Sequence, residues 1–178
     1  MQSLPIYVVD EIASVVQAVD AALFTSLGKH IQYMHGHPLE IVNLLKAKDE
    51  SKSLKEKKYP LIALFQDFRE NRDDYKTFGT VSLSLIIANS TESNHTAVDR
   101  YIKNFKPILY PIYNEFLKQL SNHTQFVHKP VFKHTKIDRV YWGKTGLYGV
   151  EGNIFQDHLD CIELQNLEIT IKNKFCSQ

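Results

Sequence analysis

The sequence predicts an α+β fold: a mainly antiparallel sheet with helices packed on one face, plus a glycine-rich β-hairpin arm. Two long stretches, 7–27 and 99–120, repeat apolar side chains at helical spacing. Between them, residues 61–65 and 80–88 have the composition of strands, and the short polar connection that joins them favours antiparallel pairing. The chain has 178 residues, of which 43% are hydrophobic, so we expect a single domain over residues 1–178.

The first third of the chain predicts two helices and a short strand. In residues 7–27 the apolar positions share one face of a helix, which ends at Gly28. Residues 30–36 can form a short strand, and residues 37–51 a second helix with a proline in its first turn. The lysine-rich segment 51–58 is expected to be a solvated connector.

The strand patterns differ from one another in how many faces they bury. Residues 61–65 are apolar on both faces, as in a central strand that is covered on both sides. Residues 80–88 alternate apolar side chains with Thr and Ser, which predicts one buried and one half-wet face. The segment 69–76 reads as a polar hairpin connection. In residues 161–172 the alternation changes phase, which predicts a β-bulge at Gln165–Asn166, or else a tight turn there.

The longest helix is predicted over residues 99–120. Its apolar positions recur every three or four residues: Ile102, Phe105, Leu109, Ile112, Phe116 and Leu120. Pro107 and Pro111 fall on the opposite, polar side, so we expect a kink or a helix restart. After it, four of the seven glycines lie among aromatic residues, which predicts a β-hairpin arm at 139–154.

Charge and cysteine content exclude several classes of function. The formal net charge is +1, so no global field draws the protein to nucleic acid or to an anionic membrane. The sequence shows neither a signal peptide nor an apolar run long enough to span a bilayer, and we expect synthesis in a cytosol. Cys161 and Cys176 suggest no disulfide framework and no zinc knuckle.

No catalytic signature stands out, and we predict no catalytic residue, cofactor site or metal site. His35 and His37 lie on the same side of an extended segment, but no third metal ligand has a typical spacing. Asp157, His158 and Asp160 form the most site-like group, because a carboxylate beside an imidazole can orient a general base. The alternative is that they are turn residues ahead of a strand. Phosphate-binding glycine motifs and a nucleophile elbow are both missing from the sequence.

The stretch 126–142 mixes basic and aromatic residues, which could contact nucleic acid through phosphate attraction and stacking. It holds His128, Lys129, Lys133, His134, Lys136 and Arg139 among Phe126, Phe132, Tyr141 and Trp142. The near-zero net charge favours another interpretation, in which these aromatics pack on a neighbouring subunit. Direct binding of nucleic acid is therefore not expected.

The order of elements resembles that of the tail terminator and head-to-tail joining (tail completion) proteins of long-tailed bacteriophages. The matching pieces are the helix at 7–27, Tyr59-Pro60 opening the strand LIALF, the strand 80–88, the helix 99–120 and the closing strand 162–172. An extra strand–helix unit at 30–52 and the glycine-rich hairpin depart from that pattern. The resemblance implies a homo-oligomeric ring, expected to be a hexamer, that caps the tail tube and docks on the head connector.

This resemblance makes the protein a non-enzymatic virion component, assembled in the host cytoplasm with tail-tube and head-connector partners and no membrane. The ring contacts need apolar surface that a monomer would leave exposed. The predicted interface residues are Phe65, Phe68, Tyr75, Phe78, Arg100, Tyr141 and Trp142. The alternatives that remain open are a nucleic-acid-binding module using 126–142 and a small hydrolase or nuclease around Asp157, His158 and Asp160.

Overall fold

A computed structural model describes residues 6–71, 78–143 and 157–172. The helices are α1 (Val8–Leu27), α2 (Pro38–Ala47), α3 (Lys52–Lys55), α4 (Ala97–Arg100), a π-helix (Tyr101–Leu109) and α5 (Tyr110–Asn122), with a short 3₁₀ turn at Lys48–Glu50. The strands are β1 (Gln32–Gly36), β2 (Leu61–Asn71), β3 (Phe78–Ser90), β4 (Thr135–Arg139) and β5 (Leu159–Lys172). None of the helices in these ranges is long and apolar enough to cross a bilayer.

The strands form one five-stranded sheet in the order β1-β2-β3-β5-β4. All neighbouring pairs are antiparallel except β1 and β2, which run parallel with Gln32 opposite Leu61. The parallel pair is possible because α2 and the following connector carry the chain back between the two strands. The predicted α+β class with a mainly antiparallel sheet is confirmed.

Helices cover both faces of the sheet, so the prediction of helices on one face is wrong. Ile62 and Leu64 of β2 belong to a core shared with α1 and the 97–122 helix. Leu61, Ala63 and Phe65 point the other way and share a second core with α2. Helices are needed on both faces because β2 is apolar on both of its faces, the same feature that predicts a central strand.

The bulge predicted in the last strand is confirmed. Leu167 of β5 lies opposite Leu83 and Leu164 lies opposite Leu85, so β5 has one more residue than β3 in this interval. Asn166 takes up the extra length in the left-handed region, with φ of 54°. As a result, Ile162 and Leu164 face the same core as Leu167 in spite of the phase change.

The long helix breaks at the expected place, but in an unexpected way. Tyr101–Leu109 is π-helical, and the backbone N–H of Tyr110 bonds to the carbonyl of Phe105, five residues earlier. Regular α-helix restarts at Tyr110, with Pro111 in its first turn. Because π turns are wider than α turns, the apolar positions before Phe105 lose their alignment with those after it.

This change of phase overturns one predicted core position. Ile102 was expected on the buried face and is 58% exposed, whereas Phe105, Leu109, Ile112, Phe116 and Leu120 are buried as predicted. Arg100 and Asn104 take the inward positions in the first turns instead. A periodicity of 3.6 residues, applied across a π segment, assigns the wrong face.

Several predictions fall on parts of the chain outside the described residues. They concern residues 72–76 of the predicted hairpin connection, residues 144–154 of the hairpin arm, and Cys176. The connection was predicted to begin at residue 69, which is wrong, because β2 continues to Asn71. Within the described part of the arm, Tyr141 and Gly143 have positive φ angles of 55° and 81°. Cys161 is buried, and this burial raises the pKa of its thiol well above the usual range.

Replacing Asn166 tests the bulge. Asn166→Val is expected to lower the free energy of unfolding by about 1–3 kcal/mol, because a β-branched residue is strained at positive φ. Asn166→Gly, the control, removes the same exposed side chain but tolerates that φ and should leave stability close to that of the parent. Urea denaturation measures both, and equal losses in the two variants would contradict the bulge geometry.

Two alanine substitutions test the phase of the long helix. Ile102→Ala should change the free energy of unfolding by less than about 0.5 kcal/mol, because its side chain is largely in water. Phe105→Ala should cost about 3–5 kcal/mol, because that ring is buried in the core. Both are measured by denaturation of dilute protein, and comparable losses at the two positions would show an uninterrupted α-helix.

Candidate functional site

A row of exposed apolar side chains lies on the first turns of the long helix. Val98 is 66% exposed, Tyr101 50% and Ile102 58%. Tyr101 and Ile102 follow Val98 at spacings of three and four residues, so the three side chains cover one side of two neighbouring turns. We call Val98, Tyr101 and Ile102 the outer stripe. Contiguous apolar surface of this kind marks interaction sites more often than isolated exposed residues do.

The outer stripe exists because of the π segment. Ile102 precedes Phe105 by three residues, and Val98 precedes Ile102 by four. In an uninterrupted α-helix, both would therefore lie on the same buried face as Phe105. The π turns instead place Arg100 and Asn104 inward and leave the apolar pair outward. Segments of π-helix are rare, and those that do occur are often found at functional sites. The helix therefore exposes apolar residues that a regular helix would bury.

A buried polar cluster holds this phase. Arg100 Nη1 donates to Asp160 Oδ1 over 2.6 Å, and Asn104 Nδ2 donates to Asp160 Oδ2 over 3.0 Å. Asn89 Nδ2, at the end of β3, donates to Asn104 Oδ1 over 2.9 Å. All four side chains belong to residues that are at least nine-tenths buried, and Asp160 is fully buried. We call Asn89, Arg100, Asn104 and Asp160 the inner cluster.

The other two nitrogens of the Arg100 guanidinium also donate hydrogen bonds. Nε donates to the carbonyl of His95 over 3.2 Å, and Nη2 donates to the carbonyl of Glu92 over 3.3 Å. The Tyr141 ring lies 4.1 Å from the guanidinium carbon, a cation–π distance. Arg100 thus ties the helix to β5, to the loop before the helix, and to the start of the glycine-rich segment.

The long helix begins with a capping box, directly before the outer stripe. The Thr96 hydroxyl accepts from the Asp99 backbone N–H over 3.2 Å, and the Asp99 carboxylate accepts from the Thr96 backbone N–H over 3.1 Å. Hydrogen bonds from the Thr96 side chain, followed by Lys103, hold the pKa of the exposed Asp99 carboxyl well below its usual range. The start of the helix, and with it the position of the outer stripe, is fixed locally.

A second buried cation lies at the other core. Lys58 Nζ donates to Asp157 Oδ2 over 2.5 Å, to Asp49 Oδ1 over 2.8 Å and to the carbonyl of Leu45 over 3.3 Å. Tyr59 donates its hydroxyl to the same Asp157 oxygen over 2.6 Å, and burial raises the pKa of that hydroxyl far above its usual range. Lys58 is only 1% exposed, so the prediction of a fully solvated connector at 51–58 is wrong at its last residue. A long-range carboxylate, invisible in local sequence, explains the burial.

The residues of the hydrolase alternative do not come together as a catalytic group. Asp157 binds Lys58 and Tyr59, whereas Asp160 binds Arg100 and Asn104. The His158 ring lies edge-on to the Tyr141 ring at 6.0 Å between centroids. Each carboxylate thus serves a structural ion pair of its own.

One histidine of the pair considered for metal binding, His37, has a local structural role. The Nδ1 atom of His37 accepts from the backbone N–H of Leu39 over 3.2 Å, which caps α2. Among residues 6–71, 78–143 and 157–172, no three His, Cys, Asp or Glu side chains cluster as metal ligands would.

In the basic and aromatic stretch 126–142, three of the four aromatic rings named above point into the protein. Phe126, Phe132 and Trp142 are buried, so their rings cannot stack on nucleic-acid bases without unfolding. Lys133 lies 3.3 Å from Glu168, and Arg139 pairs with Glu163. Aromatic residues that could have packed on a neighbouring subunit pack within the chain instead.

Of the seven predicted interface residues, three are buried within the fold and a fourth is half-buried. Phe65, Arg100 and Trp142 are all more than nine-tenths buried within the chain, and Phe68 is half-buried against the first core. The remaining three differ in what is described: Tyr141 lies against Arg100, Phe78 begins β3, and Tyr75 lies outside the described residues. Val98 and Tyr101 were not predicted as surface. The available signal was Arg100 and Asn104, two polar residues four apart that mark a second face of the helix.

Arg100→Met tests the inner cluster. It should lower the free energy of unfolding by about 3–5 kcal/mol, because it leaves the fully buried Asp160 carboxylate without its cation. Lys103→Met is the matched control, since it removes a cation of the same helix whose ion pair with Asp99 is exposed, and its effect should be much smaller. Chemical denaturation measures both. Equal effects would mean that the buried pair does not stabilise the fold.

No protein-family model matches this chain, and no curated protein was found to be similar to it in sequence. The function proposed below therefore depends on the geometry of the outer stripe and of the inner cluster and capping box that hold it in place.

Proposed function

We propose that this protein is a structural virion component that assembles into a homo-oligomeric ring through the outer stripe. The observation that carries the proposal is the outward position of Val98, Tyr101 and Ile102 on a helix whose regular form would bury two of them. The buried ion pair holds these apolar side chains in water, where they are less stable than they would be if covered. A contact with another copy of the chain would cover them.

The surface beside the outer stripe has the composition of a subunit interface. The Tyr101 ring meets the Tyr110 ring edge-on at 6.4 Å, and Tyr110 donates its hydroxyl to Asp138 of β4 over 2.7 Å. Lys136 Nζ lies 4.8 Å from the Tyr110 ring centroid. Aromatic residues at the centre and charged residues at the rim are typical of protein–protein contacts. The surface therefore extends from the stripe to the edge strand β4.

The energetics favour a contact of modest strength that is repeated around a ring. Full burial of an apolar side chain contributes about 1.5–3 kcal/mol, so the three residues of the stripe form a small apolar centre. A heterologous contact, in which one surface binds a different surface of the next copy, closes into a ring when the rotation permits. Ring closure adds contacts without needing any new surface.

Within this proposal, the ring is a hexamer of the tail terminator or head-to-tail joining type. It caps the completed tail tube, presents a docking face to the head connector and is assembled in the host cytoplasm. The support is the element order, from the first helix through the strand after Tyr59-Pro60 to the closing strand, together with the stripe. The protein acts through surface complementarity and not through catalysis.

The two alternatives find less support in the described residues. The hydrolase would need Asp157 and Asp160 to act on one substrate, but their carboxylates bind different cations. The nucleic-acid module would need exposed aromatic rings in 126–142, and three of the four are buried. Neither alternative makes use of the outer stripe.

Ile102→Lys tests the ring. The wild-type protein should elute as an oligomer in size-exclusion chromatography with light scattering and appear as closed rings in negative-stain micrographs. Ile102→Lys should be a folded monomer, because an ammonium at the contact centre must be desolvated. Circular dichroism confirms that the variant is folded.

Leu44→Lys is the matched control, because Leu44 is 47% exposed on α2, on the opposite side of the sheet. This variant should remain oligomeric. A wild-type chain that stays monomeric at its highest soluble concentration, or an oligomer that Ile102→Lys leaves intact, would contradict the proposal.

A further inference from the structure

A basic cleft lies at the end of the molecule where α1 and β3 finish and β2 begins. Its volume is about 570 Å³, and it is lined by Lys29, Lys55, Glu56, Lys57, Tyr59 and Ser90. Lys29 enters from the residue after the α1 cap, where Gly28 turns the chain with φ of 66°. Lys55 and Lys57 come from the connector before β2. Two separate stretches of chain thus bring three ammonium groups to one concavity.

These three cations have no acidic partner within residues 6–71, 78–143 and 157–172. No Asp or Glu of the described residues lies within 4.0 Å of the ammonium groups of Lys29, Lys55 or Lys57. Elsewhere many basic side chains are paired, such as Lys103 with Asp99 and Lys133 with Glu168. With Glu56 counted, the lining carries a formal charge of +2, larger than the +1 of the entire chain.

Tyr59 is the lining residue that the fold holds in place, since it is buried and its hydroxyl donates to Asp157. The neighbouring Lys58 is paired with both Asp157 and Asp49. The charge of Lys58 is therefore balanced within the fold, and the positive charge of the cleft comes from Lys29, Lys55 and Lys57.

We propose that this cleft binds an anion that carries several phosphate groups. Lysine binds phosphate as a point charge, and three ammonium groups around one concavity match an anion that carries several negative charges. The Ser90 hydroxyl at the rim can donate to a phosphate oxygen. The volume exceeds the need of a single phosphate and accommodates a short run of them. The source is either a free oligophosphate or the backbone of a nucleic acid, which share this chemistry.

Isothermal titration of the full-length protein with tripolyphosphate, and separately with a short single-stranded oligonucleotide, tests the site and its source. Lys55→Gln/Lys57→Gln should weaken the affinity for the bound anion by tenfold or more. For a single-stranded oligonucleotide that engages three phosphates, the affinity should also fall roughly 20-fold between 50 and 200 mM salt. Binding of tripolyphosphate alone identifies a free anion as the source. Binding of both, with competition between them, identifies a nucleic-acid backbone.

Lys52→Gln/Lys106→Gln is the matched control, since it removes the same charge from two exposed lysines outside the cleft. It should retain wild-type affinity. The proposal is overturned if neither anion binds, if the control loses as much affinity as the cleft variant, or if a hexaglutamate peptide binds more tightly than tripolyphosphate. Because the cleft variant keeps the outer stripe, its oligomeric state should match that of the wild type. The site and the ring are thereby tested separately.

Discussion

The ion pair between Arg100 and Asp160 is the interaction on which the arrangement of the long helix depends. Burying two charges costs several kcal/mol of desolvation for each ion, which only good geometry and additional hydrogen bonds offset. Both conditions are met here. The guanidinium donates from all three of its nitrogens, and both oxygens of the carboxylate accept. Such a pair contributes little net stability relative to apolar residues, but it specifies one position of the helix over another.

That specification links the two sides of the helix. With Arg100 and Asn104 inward, the π segment follows, and Val98 and Ile102 are turned into water. The sheet provides the fixed reference, since Asp160 lies on the long strand β5, which is paired on both sides by β3 and β4. The bulge at Asn166 keeps the core face of the same strand continuous. Surface and core are therefore set by one strand.

The parts of the fold that follow from local patterns could be predicted from the sequence. The two apolar faces of β2 and the phase change of β5 are each encoded in a few consecutive residues, and the structure has both features where they were expected. The parts that depend on distant partners could not be predicted. Lys58 reads as the end of a solvated lysine run until Asp157 is placed beside it, 99 residues later. Arg100 likewise reads as an interface residue near a helix start until Asp160 is known to face it.

The same limit applied to the candidate site. Aromatic residues were expected at the surface because large rings often anchor contacts. Phe65 and Trp142 instead fill the core beneath α2, which the expectation of helices on one face had left uncovered. The exposed residues of the outer stripe, Val98, Tyr101 and Ile102, lie instead on a helix of changed pitch. Periodicity finds the apolar residues of a helix, but the direction they face depends on the hydrogen-bond pattern of its backbone.

The positions of Asp157 and Asp160 have a consequence for how the chain is made. Two buried cations, Lys58 and Arg100, each pair with a carboxylate of this four-residue segment, and Lys58 also pairs with Asp49, which precedes it in the chain. A nascent polypeptide emerging from the ribosome therefore contains a counter-ion for Lys58 from the start, but it contains Arg100 long before Asp160. Until residue 160 is translated, the Arg100 guanidinium cannot be buried at low cost, so the long helix cannot take its final position early. Docking of that helix thus waits for the arrival of a single short stretch.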